Sequence, residues 1–216
     1  MSINSEYIGK NSLENIKYIA KENNFEKILI FAGKKSFLES GAKSQLNSIL
    51  SKFQYEVFYK INKLPDIMDL KKFILKINDY KPSLIIAIGG GAVLDLAKVS
   101  NSLYKCKDLE DSIKKSSYEL NHFCELIAIP TTAGSGAETT SNAVIYVNKI
   151  KYSVEGKEIK PNYIIIDPSL ILTTSKLIAA ASGMDAIAQS VESLLSKKST
   201  EESVEHAIKS LRYLLP

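Results

Sequence analysis

Two short apolar runs, each breaking into glycine, constrain this chain more than any other feature. The first, Leu84-Ile85-Ile86-Ala87-Ile88, runs into Gly89-Gly90-Gly91-Ala92-Val93-Leu94-Asp95-Leu96-Ala97-Lys98. The second, Leu126-Ile127-Ala128-Ile129, runs into Pro130-Thr131-Thr132-Ala133-Gly134-Ser135-Gly136-Ala137-Glu138-Thr139-Thr140. A buried strand that ends in glycine and opens a helix brings backbone N–H groups close to a phosphate, with the helix dipole behind them. One such turn is weak, because glycine also simply ends strands. Two in succession, the second rich in hydroxyls, have the form of the two sides of a nucleotide cleft. The leading expectation is a soluble, nucleotide-dependent enzyme.

The rest of the chain alternates in the same way. Residues 27–32 (KILIFA) read as a strand, followed by a helix over residues 37–52. Residues 55–59 (YEVFY) read as a second strand, and residues 66–80 carry Ile67, Leu70, Phe73, Ile74 and Ile77 at helical spacing. Residues 84–88 and 126–129 are the third and fourth strands. Residues 144–147 and 152–154 suit a hairpin around Asn148-Lys149, and residues 163–167 a last strand. Strands alternating with helices predict an α/β fold: a doubly wound, mostly parallel nucleotide-binding domain with ligands at the carboxyl ends of its strands.

After Asp167-Pro168 the pattern changes, and no strand-like run follows Ser175. A helical region begins with Ala179-Ala180-Ala181-Ser182-Gly183-Met184-Asp185, and Ser199 with Glu202 offers a capping box for a last helix. Residues 1–172 are therefore expected to form the nucleotide-binding α/β domain, and residues 173–216 the beginning of an all-helical one. Some 40 residues of helix without further partners make a poor core. The chain is expected to be incomplete relative to its fold, or to borrow a partner surface, a homo-oligomer included.

Composition narrows the partners. The 216 residues are 45% apolar and 24% charged, ordinary for a globular protein. A net charge of +4, from 28 Lys and Arg against 24 Asp and Glu, suits an anionic small molecule and falls short of a nucleic-acid footprint. Cys106 and Cys124 lack metal-type spacing. Residues 1–6 show no basic region followed by an apolar stretch, and no apolar run approaches a membrane span, so the cytoplasm is the expected compartment.

Among candidate site residues, Asp95 sits one helical turn beyond the glycines. There it can accept from helix amides or a ribose hydroxyl, or simply complement the dipole. Lys98 is placed to meet Asp95 or a phosphate. Thr131, Thr132 and Ser135 offer hydroxyls to a carboxamide or phosphate, or ordinary turn chemistry. Asp185 and Gln189, spaced i, i+4, share one helix face and offer two ligands to a divalent cation; a first-turn acid beside a solvated amide is the plainer alternative. His122 and His206 stand apart and read as incidental.

The order GGGAVLDLAK, PTTAGSGAETTSNAVI, Asp167-Pro168 and GMDAIAQSVESLLS resembles the iron-containing (group III) alcohol dehydrogenase family. The resemblance implies that Gly89, Gly90, Gly91 and Asp95 bind cofactor phosphates and ribose, with Ala92 in place of the usual serine. It implies that Thr131, Thr132 and Ser135 lie near the nicotinamide, and that Asn142 and Lys151 line the cofactor cleft. Many members carry an acid after the first strand; here Gly33 stands there, followed by Lys34, so NADPH is expected to be accepted as well as NADH. The family's metal set begins D-A-x-x-H. Asp185 matches, Gln189 replaces the histidine, and the two later histidines have no counterpart. A divalent metal, Fe²⁺ or Zn²⁺, is thus implied for the complete fold and incompletely provided for by these residues.

The stretches SGAKSQL, QSVES and STEES look closer to a phosphonoacetaldehyde reductase-like branch, whose substrate is a small anionic aldehyde. The activity implied is NAD(P)H-dependent, metal-assisted interconversion of a small aldehyde and its primary alcohol, with the proton donor unidentified. Two alternatives stay open: a cofactor-binding pseudoenzyme or fragment without turnover, and a lyase of the dehydroquinate synthase type.

Overall fold

The computed structural model describes residues 5–215; residues 1–4 of the N-terminal reading and the terminal Pro216 lie outside the described residues. In chain order the elements are β1 (Ser5–Ile8), α1 (Asn15–Glu22), β2 (Lys27–Gly33), α2 (Lys34–Glu39), α3 (Ala42–Ile49), β3 (Gln54–Lys60), α4 (Ile67–Tyr80) and β4 (Leu84–Gly89). There follow α5 (Gly91–Ser102), α6 (Leu109–Lys115), β5 (Glu125–Pro130), β6 (Asn142–Val147), β7 (Ile150–Glu155), β8 (Tyr163–Ile166), α7 (Lys176–Leu195) and α8 (Glu201–Leu214).

Six strands form one sheet in the order β1-β8-β5-β4-β2-β3, with every pairing parallel. Parallel strands need helical crossovers, which cover both faces, so their sequences are apolar throughout rather than alternating. Alternate residues of β2, β4 and β5 feed two cores. Leu29, Phe31, Ile85, Ala87, Leu126 and Ala128 pack with residues of α4 and α5. Ile28, Ile30, Leu84, Ile86, Ile127 and Ile129 pack with residues of α1 and α3 on the other face. The fold is the doubly wound α/β sheet that the sequence predicts.

The chain leaves β2 for the edge strand β3, then returns to place β4 on the other side of β2. That reversal is a topological switch point, and the crevice above it lies between the carboxyl ends of β2 and β4. Gly33 closes one of these strands and Gly89 the other.

Several local expectations are corrected. Strand β1 was not predicted: four residues of alternating exposure at a sheet edge carry no apolar run, and it is recruited in register on β8, Ser5 opposite Tyr163. Helices α1 and α6 were likewise not predicted. The single helix expected over 37–52 is two, because Gly41 turns left-handed at φ +77 and restarts the chain as α3. The cap of α8 lies one residue later than expected. Thr200 accepts from the Ser203 amide at 3.1 Å and the Ser203 hydroxyl accepts from the Thr200 amide at 2.9 Å, while the Ser199 hydroxyl bonds Ser196 O. The hairpin forms as expected, with Asn148 (φ 52) and Lys149 (φ 67) both left-handed in its two-residue turn.

Helices α7 and α8 pack against each other, joined across their interface by the Ser190 and Ser210 hydroxyls at 3.0 Å. Among the described residues no helix is long and apolar enough to cross a membrane.

Candidate functional site

The site grows from the carboxyl ends of β2, β4 and β5. Strand β4 ends at Gly89, and α5 opens with Gly90 as its N-cap, without a side-chain cap bond. The first-turn amides of α5 are thus left by the sequence to something other than a capping side chain. Close approach marks all three glycines and is least able to yield at Gly89, where the neighbour is the branched Val93. A Cβ on Gly89 would meet the Val93 side chain at 2.8 Å, one on Gly90 the Thr132 hydroxyl at 3.3 Å, and one on Gly91 the Ser135 side chain at 2.8 Å. The glycine turn and the hydroxyl turn therefore pack directly on each other, fixed by a bond from the Thr131 amide to Gly89 O at 3.0 Å.

Beside these turns lies a cavity of about 510 Å³ over the carboxyl ends of the sheet, lined by Gly33, Lys34, Lys60, Thr131, Thr132 and Thr174 among others. Thr131 is buried, and its Oγ1 has no hydrogen-bond partner among the described residues. An orphaned hydroxyl beside a cavity of this size is what a polar ligand atom would satisfy. Gly33 leads into α2 at φ −83, also without a side-chain cap. The lining carries Lys34, Lys35, Lys60 and Lys63 against one acid, Glu39. Lys60 is held by the carbonyls of Asn62 and Lys63, and burial lowers its pKa despite Asp69 and Asp66 nearby.

Gly89, Gly90, Gly91 and Ser135 do not line this cavity, and neither do Asp95, Asn142 and Lys151. The last three gather where α5 meets the hairpin. Asp95 Oδ2 accepts from the Val144 amide at 3.0 Å, and Oδ1 lies 3.7 Å from Lys98 Nζ. Burial raises the Asp95 carboxyl, against the pull of Lys98, the Val144 amide and Lys151. Lys98 is fully buried; its ammonium faces Ala137 O and Asn142 O rather than an open phosphate site, which corrects the second alternative for this residue. Asn142 contributes its carbonyl to that contact, and its side chain is exposed, as is Lys151. Ser135 Oγ accepts weakly from the Ala137 amide at 3.4 Å.

Asp185 and Gln189 lie on one face of α7, and Gln189 Nε2 donates to Asp185 Oδ2 at 2.9 Å. One carboxylate and one amide do not make a coordination shell for Fe²⁺ or Zn²⁺, which takes four or more ligands. Among the described residues no group of three His, Cys, Asp or Glu could hold a metal ion. These residues alone do not fit the implied metal. His206 is exposed. His122 instead has a structural place, its ring nitrogens 3.2 Å from Glu158 O and 3.0 Å from Asn162 Oδ1.

Two features escaped sequence reasoning. Lys60 reaches the site because β3 pairs with β2 in the register that sets it beside Gly33, a pairing that local spacing does not specify. Gly134 meets α7: a Cβ there would lie 2.6 Å from Ser182 O and 2.9 Å from Ser182 Cα. Backbone cannot yield like a side-chain tip, so Gly134→Ala is expected to lift α7 off the hydroxyl turn, at a cost of about 1–3 kcal/mol. Amide exchange reads this as faster exchange along α7 with the sheet unchanged. Unaltered α7 protection would refute it.

The family model for iron-containing alcohol dehydrogenase matches residues 4–168. An alcohol dehydrogenase of Thermococcus barophilus is 30% identical over 213 residues, covering 95% of this chain and 56% of that protein. An aldehyde-alcohol dehydrogenase of Streptococcus pneumoniae is 29% identical over 216 residues, covering 92% of this chain and 24% of that one. The sulfoacetaldehyde reductase of Bifidobacterium kashiwanohense, solved in complex with NAD⁺, superposes with a TM-score of 0.87 at 26% identity, over 99% of this chain and 58% of its own. The chain thus spans little more than half the length of the Thermococcus and Bifidobacterium proteins. A family model covering all six strands of the sheet, with both glycine turns inside it, shows that the chain belongs to the iron-containing alcohol dehydrogenase family.

Proposed function

We propose that this chain is the cofactor-binding part of an NAD(P)-dependent oxidoreductase that interconverts a small aldehyde and its primary alcohol. The carrying observation is the pair of mutually packed turns beside a cavity at the switch point of the sheet. On this reading residues 1–172 are the nucleotide domain and residues 173–216 begin a helical metal and substrate domain. The orphaned Thr131 hydroxyl and the close-approach glycines fit a dinucleotide. When bound, the reduced cofactor supplies the hydride.

The chain's own residues do the binding and orienting. Amides of Gly91 and Ala92 at the start of α5 receive the pyrophosphate. Thr131, Thr132 and Ser135 orient the nicotinamide end, while Asp95, Asn142 and Lys151 hold the neighbouring wall. Gly33 and Lys34 leave room and charge for the 2′-phosphate of NADPH. For substrate we propose a small anionic aldehyde, phosphonoacetaldehyde being one. The net charge of +4 and the likeness to a sulfoacetaldehyde reductase support that class. No step is assigned through a metal, because Asp185 and Gln189 do not complete a site.

Calorimetric titration with NADH and NADPH, with and without Fe²⁺ or Zn²⁺, tests the reading. The expected result is binding near micromolar, about −8 kcal/mol, insensitive to metal. Binding of neither nucleotide would sink it. A second reading, cofactor binding without turnover, is favoured by the Gln189–Asp185 hydrogen bond that occupies the expected ligand pair. Metal content and NADPH oxidation with short aldehydes separate the two.

A further inference from the structure

Lys98 is a long cationic side chain with no exposure, in the middle of a helix, and it is not spent on a surface ion pair. Its three N–H groups meet three acceptors on one stretch of chain: Ala137 O at 2.8 Å, Thr140 Oγ1 at 2.9 Å and Asn142 O at 2.6 Å. An ammonium has three donors and no acceptor, so this shell satisfies it completely. The Thr140 hydroxyl, while accepting from Lys98, has Asn142 O at 3.1 Å to receive its own proton. Asp95 at 3.7 Å, on the same helix, and Glu138, on the same loop, supply negative charge. Burial lowers Lys98 to about 8, against the pull of these two acids.

Residues 137–141 form neither helix nor strand, and they join the hydroxyl turn to β6, which opens at Asn142. Two residues beyond Asn142, Asp95 accepts from the Val144 amide. The buried middle of α5 therefore grips this segment at two points, through Lys98 and Asp95. The start of the same helix carries the glycine turn.

We propose that Lys98 is a positioning residue for the cofactor: through its bonds to residues 137–142 it holds the hydroxyl turn and the hairpin at a fixed distance from the glycine turn. The proposal rests on the nucleotide reading above. It assigns Lys98 no contact with the ligand. Its effect falls on the nicotinamide end, which the hydroxyl turn orients, and spares the adenosine and phosphate end.

The test compares NADH with ADP-ribose, which lacks the nicotinamide, on the full chain and on Lys98→Met. Loss of a buried, charge-assisted bond set is expected to weaken NADH by about tenfold or more, with ADP-ribose held within about twofold. Amide exchange over residues 136–144 is expected to accelerate, and β4 and β5 to stay protected. Thr140→Val, which removes one acceptor and leaves the ammonium in place, is expected to shift the same ratio in the same direction by less. It serves should Lys98→Met fail to fold.

Equal losses of both ligands mark a merely structural lysine and overturn the proposal, as does an unchanged ratio. If the unaltered chain binds neither ligand, the nucleotide reading fails and the positioning role falls with it. A failure specific to Lys98 leaves both ligands bound by the unaltered chain.

Discussion

Phe31→Ala is expected to cost about 3–5 kcal/mol of folding stability. Phe31 is fully buried in β2, between the edge strand β3 and the central strand β4. Its ring stacks on Phe73 of α4 with centroids 4.0 Å apart and meets Phe58 of β3 edge-on at 6.2 Å; Phe58 meets Phe73 in turn at 5.5 Å. The opposite neighbour in register on β4 is the small Ala87, so the ring fills the space that alanine leaves. Removing it opens a void that the sheet cannot close, because ladder hydrogen bonds fix the spacing of the strands. The triad also spans β2, β3 and α4, so its loss loosens the strand that presents Gly33. Urea unfolding should show a lower midpoint with an unchanged slope. A loss below about 1 kcal/mol would show that the cluster repacks and that the argument from rigidity is wrong.

How much of this was legible in the sequence depends on whether the causes are local. Strands β2, β4 and β5 are continuous apolar runs bounded by polar or glycine positions, and both faces of the sheet demand that pattern. The glycine turns were legible for the same reason: the chain changes period where the strand ends. The function of individual glycines was not. Gly91 is small because Ser135 abuts it and Gly134 because Ser182 does, contacts made between segments more than 40 residues apart. Lys98 is the sharpest case. The i, i+3 spacing to Asp95 offered a pair, which stands at 3.7 Å, or a phosphate; the three close acceptors lie 39 to 44 residues away, between the hydroxyl turn and the start of β6. Strand β1 was illegible because an edge strand of four residues takes its identity from its neighbour β8. The Asp185 and Gln189 spacing was legible, and the spacing alone did not carry donor chemistry: an amide bonded to the one carboxylate leaves the two unlike a free pair of ligands.

Gly33→Asp is expected to shift the preference between NADPH and NADH toward NADH by about two orders of magnitude, on the reading that Gly33 and Lys34 face the ribose 2′ position. The substitution is structurally mild. Gly33 has φ −83 and ψ 121, open to any residue, and it is the uncapped N-cap of α2, a place aspartate favours. A Cβ there meets the Ser36 hydroxyl at 3.0 Å, the movable tip of a side chain, and Val93 at an ordinary 3.5 Å. What changes is charge. At about 5 Å and an effective dielectric near 20, a carboxylate opposes each unit of phosphate charge by roughly 3 kcal/mol, which screening by salt reduces to on the order of 100-fold in affinity. NADH has a hydroxyl in place of that phosphate and can donate it to the new carboxylate, so its affinity holds or rises. The four lysines of the lining outweigh Glu39 in the unaltered chain, so on this reading the starting charge favours the phosphate. Paired titrations of both nucleotides with the variant decide the matter. An unchanged ratio would mean that the 2′ position lies elsewhere in the cavity, and the orientation assigned to the cofactor would have to be reversed along the sheet.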